Sequence, residues 1–186
     1  MDLVFAAIDI GSNSTNLLII DQSGQTLERI VRSTRLVANV ATTGALSAES
    51  MQRTLECLSE YESLIKQHKV SHRRTVATAA CRVANNTNQF FAEVKKISGT
   101  EPELISGEIE GALSFVGATS SLDEKMATLV IDIGGASTEL MVGTETLDFA
   151  VSIPFGAVNL TEAELHRDPP RPEELTNAIS LVSDAI

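Results

Sequence analysis

The chain opens on short apolar blocks cut by polar turns. Leu3 to Ile10 is a nearly unbroken apolar run, Gly11-Ser12-Asn13-Ser14 interrupts it, and a second run follows directly. Short apolar runs bounded by turn residues read as buried strands. Residues 3 to 10 and 15 to 21 are therefore two central strands, and Gln25 to Arg32 is a third after the turn Asp21-Gln22-Ser23-Gly24. The period then changes. Val40 to Leu46 is turn-like, but Met51, Leu55, Leu58, Tyr61, Leu64 and Ile65 fall at helical spacing, predicting a long amphipathic helix from Ala48 to His68 with Ser47 as its N-cap. A strand follows at Thr75 to Thr78, ending in the small residues Ala77-Thr78-Ala79-Ala80. A helix over Thr87 to Ile97 is closed by Gly99, Glu103 to Ile105 is a short strand, and Ser106-Gly107 opens a helix to about Ser121.

The pattern then restarts. Strands are predicted at 128 to 133, 137 to 143 and 146 to 152, with helices over Ala157 to Leu165 and Glu173 to Ile186 after the break Pro169-Pro170-Arg171-Pro172. Residues 1–122 thus read as one ribonuclease H-like lobe and 123–186 as the start of a second, in an α/β protein with mixed sheets flanked by helices. By the logic of the repeat, the second lobe lacks its later strands and helices. The chain is accordingly read as the N-terminal part of a longer protein.

The restart is also a repeat of sequence. Ile8 to Leu17, IDIGSNSTNL, matches Ile131 to Leu140, IDIGGASTEL, with Asp, Gly, Ser, Thr and Leu in register. Gly134 and Gly135 remove side chains that would hold a ligand off the backbone, so N–H groups can bind an anion. Ser137 and Thr138 add hydroxyl donors, and Asp132 ends its strand where a carboxylate can hold a metal ion or its water. A strand–loop–strand of this kind in each lobe places two phosphate loops on one interlobe cleft. Arg82, just after the small-residue run, is a candidate bidentate phosphate ligand. Arg29, Arg32 and Arg35 recur every third residue, a spacing that suits a solvated edge or, for one or two of them, a cleft wall.

Charge narrows the partners. Residues 1 to 122 hold 11 Lys/Arg against 13 Asp/Glu, a net of −2; residues 123 to 186 hold 3 against 12, a net of −9. The total of −11 argues against nucleic acid or an anionic membrane as a general partner. No apolar run approaches the ~20 residues of a membrane span, and the acidic start lacks the basic head of a signal peptide. Cys57 and Cys81 stand alone, without His at ligand spacing, which suits a reduced, cytoplasmic setting.

Five segments in order resemble the exopolyphosphatase and guanosine pentaphosphate phosphohydrolase family, of the actin, sugar-kinase and heat-shock ATPase superfamily. Asp9-Ile10-Gly11-Ser12-Asn13-Ser14 matches its first phosphate loop, and Thr78-Ala79-Ala80-Cys81-Arg82 resembles its Thr-Ser-Ala-x-Arg segment. Ile105 to Gly111 looks like its Ile-Ser-Gly-x-Glu-Glu-Ala motif, Asp132 to Glu139 like its second loop, and Ser152 to Glu162 like the segment that follows. The departures are Ile109 for the first Glu of the pair, Ala136 for a third loop Gly, and Asn159 for an Arg.

The resemblance implies a phosphoanhydride hydrolase that removes terminal phosphate from inorganic polyphosphate or guanosine pentaphosphate. It makes Glu110 the catalytic base and Arg82 a catalytic cation. Gly11, Ser12, Asn13, Ser14, Gly134, Gly135, Ala136, Ser137 and Thr138 would bind phosphate, and Asp132, Glu139 and Asp9 would hold Mg²⁺. Full members of the family often pair, so a homodimer is expected. Two alternatives stand beside this reading: a non-catalytic sensor of a phosphorylated nucleotide, and an ATP-dependent kinase of the same superfamily.

Overall fold

In the computed structural model the described residues are 3–122 and 126–186. They form two compact units, Met1–Leu104 and Ile105–Ile186. The first unit runs β1 (Val4–Ile10), β2 (Ser14–Asp21), β3 (Thr26–Ser33), α1 (Val40–Thr43), α2 (Ala48–Gln67), β4 (His72–Ala77), α3 (Ala79–Val83), α4 (Thr87–Ser98) and β5 (Glu103–Leu104). Its five-stranded sheet has the order β3-β2-β1-β4-β5. β1, β2 and β3 are antiparallel neighbours, while β4 lies parallel to β1 and β5 parallel to β4.

Alternation sets which face is buried. Ala6, Ile8 and Ile10 of β1 stand opposite Ile19, Leu17 and Thr15 of β2, and all six are buried. A slip of one residue would turn this whole set outward, so the pattern fixes the register. Helix α2 begins at Ser47, whose hydroxyl accepts from Ser50 N–H at 3.1 Å. Its buried stripe is Ser50, Thr54, Cys57, Leu58, Tyr61, Glu62 and Ile65, so Met51, Leu55 and Leu64 sit at the margin of the face predicted for them. Tyr61 donates to Thr15 O at 2.8 Å and ties the helix to β2. Glu62 is buried because Arg73 Nη1 meets it at 2.5 Å; the same guanidinium donates to Ser98 O at the end of α4. Arg73 thereby joins α2, β4 and α4.

The second unit runs α5 (Gly107–Thr119), β6 (Thr128–Ile133), β7 (Thr138–Gly143), β8 (Leu147–Ile153), α6 (Ala157–Glu164) and α7 (Pro172–Ala185). Its antiparallel sheet has the order β6-β7-β8. Helix α5 is capped by Ser106, whose Oγ accepts from Ile109 N–H. Gly111 faces Met141 and Ala150, where an added Cβ would sit in van der Waals contact at 3.5 Å and 3.6 Å, and Phe115 lies fully buried one turn on. The opposite sheet face carries Leu129, Ile131, Ile133, Val142, Phe149 and Val151, all exposed.

Three expectations change. Val40–Thr43 is a short helix, not only a turn, closed by Gly44 in the left-handed conformation at φ 70°. Ala79–Val83 is helical, because the Thr78 carbonyl accepts from the N–H groups of Cys81 and Arg82, so Arg82 stands on a helix and not on a loop. A boundary at 122/123 puts α5 with the first unit, but its buried residues rest on β7 and β8, which groups it with the second. That boundary borders residues 123–125, which lie outside the described residues, as do Met1 and Asp2 at the start of the first predicted lobe.

Candidate functional site

Both candidate loops are built on one plan. In the first, Gly11 N–H donates to Ser14 O at 2.9 Å; in the second, Gly134 N–H donates to Ser137 O at 2.9 Å. Gly11 is required by space, since a Cβ there would stand 2.8 Å from Ser14 O. The loop carbonyls are tied to the scaffold. Ser12 O accepts from Val37 N–H, and Asn13 O from Thr34 and Arg35 N–H. In the second loop, Gly135 O accepts from Val158 and Asn159 N–H, and Ala136 O from Asn159 Nδ2. The N–H groups of Ser12, Asn13, Gly135 and Ala136 donate to no partner among the described residues. With carbonyls anchored and amides left over, each loop presents donors and no competing acceptor, which is what an anion requires.

The side chains divide their work. Ser12 is buried and its Oγ accepts from Ala80 N–H at 3.0 Å, so it joins the first loop to the start of α3. Thr138 donates to Phe155 O at 2.7 Å, another anchoring role, while Ser137 is buried in the turn. Ser14 supplies the carbonyl that closes the first turn, and Asn13 is exposed. Ala136 does not have positive φ, so its methyl group strains nothing. Asn159, where the resemblance expects an Arg, clips the second loop: Oδ1 accepts from Gly156 N–H at 2.7 Å, and Nδ2 donates to Ala136 O at 3.0 Å and Pro154 O at 3.1 Å.

In the first unit, β1 and β4 run parallel and end side by side, with Ile10 opposite Ala77. The first loop and the Thr78–Arg82 turn both leave from these strand ends, where open α/β sheets bind ligands. Arg82 is half-buried on α3 beside Cys81, whose thiol is pushed up to about 12 by burial and stays protonated. Asp9 lies opposite Asn16 and accepts from its Nδ2 at 2.9 Å. Arg29, Arg32 and Arg35 are all exposed; Arg35 alone is bonded to the loop, through its backbone, and it holds φ 48°.

In the second unit, Asp132 lies directly opposite Glu139, and Glu139 opposite Ser152. Directly opposed residues share a face. Asp132 Oδ2 accepts from Ser114 Oγ of α5 at 2.8 Å, and Glu139 Oε1 from Ser152 Oγ at 2.8 Å. Glu110 is half-buried one turn before Ser114 on α5, so base candidate and carboxylates belong to the same packed face. The two carboxylates fit Mg²⁺, which takes oxygen ligands and is commonly held by one or two carboxylates plus substrate phosphates. No group of three or more His, Cys, Asp or Glu able to hold a metal occurs among the described residues, and Asp9 stands on the other unit's sheet. Ser114 and Ser152 were not singled out as site residues in the sequence; the i to i+4 spacing from Glu110 is the signal that points to Ser114.

The chain is similar in sequence and fold to several known proteins. Exopolyphosphatase 2 of Mycobacterium tuberculosis is 36% identical over 194 residues, covering 97% of this chain and 61% of that protein. Guanosine-5'-triphosphate,3'-diphosphate pyrophosphatase of Vibrio vulnificus is 42% identical over 143 residues, covering 75% of this chain and 29% of that protein. A crystal structure of an exopolyphosphatase-like protein superposes with a TM-score of 0.94 at 34% identity, over 98% of this chain and 60% of that one. The chain thus spans at most about three-fifths of the length of these relatives. The α/β fold is the actin-like ATPase fold, shared with a solved Ppx/GppA enzyme of Aquifex aeolicus at a TM-score of 0.78 and 34% identity. The family model for Ppx/GppA phosphatases matches residues 18–186, and with these relatives it shows that the chain belongs to the Ppx/GppA phosphatase family.

Proposed function

We propose that the protein hydrolyses a terminal phosphoanhydride of inorganic polyphosphate or guanosine pentaphosphate. The observation that carries this reading is the repeated loop with anchored carbonyls and unengaged amides at Ser12, Asn13, Gly135 and Ala136. Two such loops suit a substrate with several adjacent phosphates, and the names of the relatives supply the two substrate classes.

In this mechanism the loop amides and Arg82 bind and orient the phosphoryl group, where fixed donors cost no reorganisation as charge develops. Asp132 and Glu139 would hold Mg²⁺, which would supply charge neutralisation on the phosphate oxygens. Glu110 orients the attacking water and takes its proton. Water attacks phosphorus in line with the bridging oxygen, whose bond breaks, and inorganic phosphate leaves with the shortened chain or nucleotide. The exposed Ile109 beside Glu110 leaves one carboxylate, not two, in the matching pair.

The decisive test is phosphate release by the full-length protein on both substrates with Mg²⁺, comparing wild type with Glu110→Gln. A loss of roughly 10²–10⁴-fold is expected for removal of a general base. Unchanged turnover in the variant rejects the assignment of Glu110, and bound nucleotide without phosphate release in the wild type supports a sensor instead.

A further inference from the structure

The two acidic residues facing each other on β6 and β7 are each held at one oxygen by a serine from a different element. Ser114 reaches Asp132 Oδ2 from α5, and Ser152 reaches Glu139 Oε1 from β8, both at 2.8 Å. No hydrogen bond engages the second oxygen of either carboxylate among the described residues. Glu139 is only 2% exposed, so hydrogen-bond donors of the protein stand in for water at its side chain. An aspartate and a glutamate side by side repel when both are charged, and a hydroxyl aimed at each limits how far they can turn apart.

Resting on the hydrolase reading above, we infer that Ser114 and Ser152 are positioning residues for a divalent cation. Each fixes one carboxylate oxygen and leaves the other directed for coordination. Ser114 does a second job. It lies one turn beyond Glu110 on α5, so its bond to Asp132 sets the rotation and height of that helix on the sheet. Cation and base are then placed together by one hydroxyl. Partners of this kind, one shell removed from a metal, change its affinity by roughly 10–100-fold when lost. Neither serine touches the reacting atoms in this scheme.

The test is direct Mn²⁺ binding to the full-length protein without substrate, read by electron paramagnetic resonance of the free ion, with thermal unfolding recorded for each variant. Ser114→Ala and Ser152→Ala should each weaken Mn²⁺ by roughly 10–100-fold, and Ser114→Thr and Ser152→Thr, which keep the hydroxyl, should recover most of the loss. Asp132→Asn separates the two levels of the argument. Binding that is unaffected by Asp132→Asn, or absent in wild type, overturns the cation assignment and this inference with it. Binding that is lost in Asp132→Asn but unchanged in folded Ser114→Ala overturns the positioning role alone. If Ser152→Ala fails to fold because Glu139 is left buried without its donor, the half-buried Ser114 and its threonine control decide the matter.

Discussion

At the scale of single residues, the second loop depends on a glycine outside it. A Cβ on Gly156 would lie 2.5 Å from Ala136 N and Gly135 C, and 2.6 Å from Gly134 O, all backbone atoms that cannot swing away. Gly156→Ala should therefore displace the loop and destabilise the protein by about 1–3 kcal/mol, the usual cost of forcing atoms into a packed site. Urea unfolding checks the stability, and loss of phosphate binding accompanies it. The contrasting case is Ala136, which carries a methyl group in that loop and adopts no positive φ. The identity of a glycine in the sequence says that something is close; the structure says what.

At the scale of elements, α2 and α3 bury groups that ionise in alkali. Burial holds the Cys81 thiol up at about 12 and raises Cys57; it raises the Tyr61 hydroxyl as well. Each of these is neutral when protonated and is raised above its unfolded value. Its contribution is fully present below the unfolded pKa, about 9.0 for the thiols, and is lost as pH climbs toward the folded one. Unfolding free energy should fall above pH 9, by about 1.4 kcal/mol per pH unit for each fully titrating group. Urea titrations between pH 8 and about 10.5 should show this, with a shallower decline in Cys81→Ala. Equal slopes in the two proteins would remove Cys81 from the explanation.

At the scale of the whole molecule, the units differ in how completely they are enclosed. The first buries Ile8, Ile10, Leu17 and Ile19 in its five-stranded sheet and covers them with α2. The second packs α5 on one face of its three strands, while the other face exposes Ile131 at 55% and Phe149 at 62%. Exposed apolar patches of this kind bind hydrophobic dyes. The 186-residue chain should do so in its native state, and Ile131→Ser with Phe149→Ser should reduce the signal while changing stability by only about 0.5 kcal/mol. A large loss of stability would mean that these side chains are packed.

Much of this was legible in advance, for reasons that can be named. The strands and long helices follow hydrophobic period, which local sterics and burial impose whatever the partners are, and the repeated IDIG segment marks both glycine turns without coordinates. Short helices α1 and α3 were not legible, because four or five residues hold too little period to read and are stabilised by bonds to their surroundings. The burial of Glu62 against Arg73 was likewise hidden: neither residue is apolar, and the pairing spans separate elements.

The sequence by itself determined the order of the strands and long helices, the duplicated loops and the residues available for phosphate chemistry. Those follow from side-chain period and from residue identity, both local properties. Only the tertiary structure decided that Ser12 is an anchor, that Asn159 clips the second loop, that α5 belongs with β6 to β8, and that two serines hold the two carboxylates. Each of these depends on which distant backbone or side chain comes within about 3 Å, and hydrogen bonding acts at that range regardless of separation along the chain.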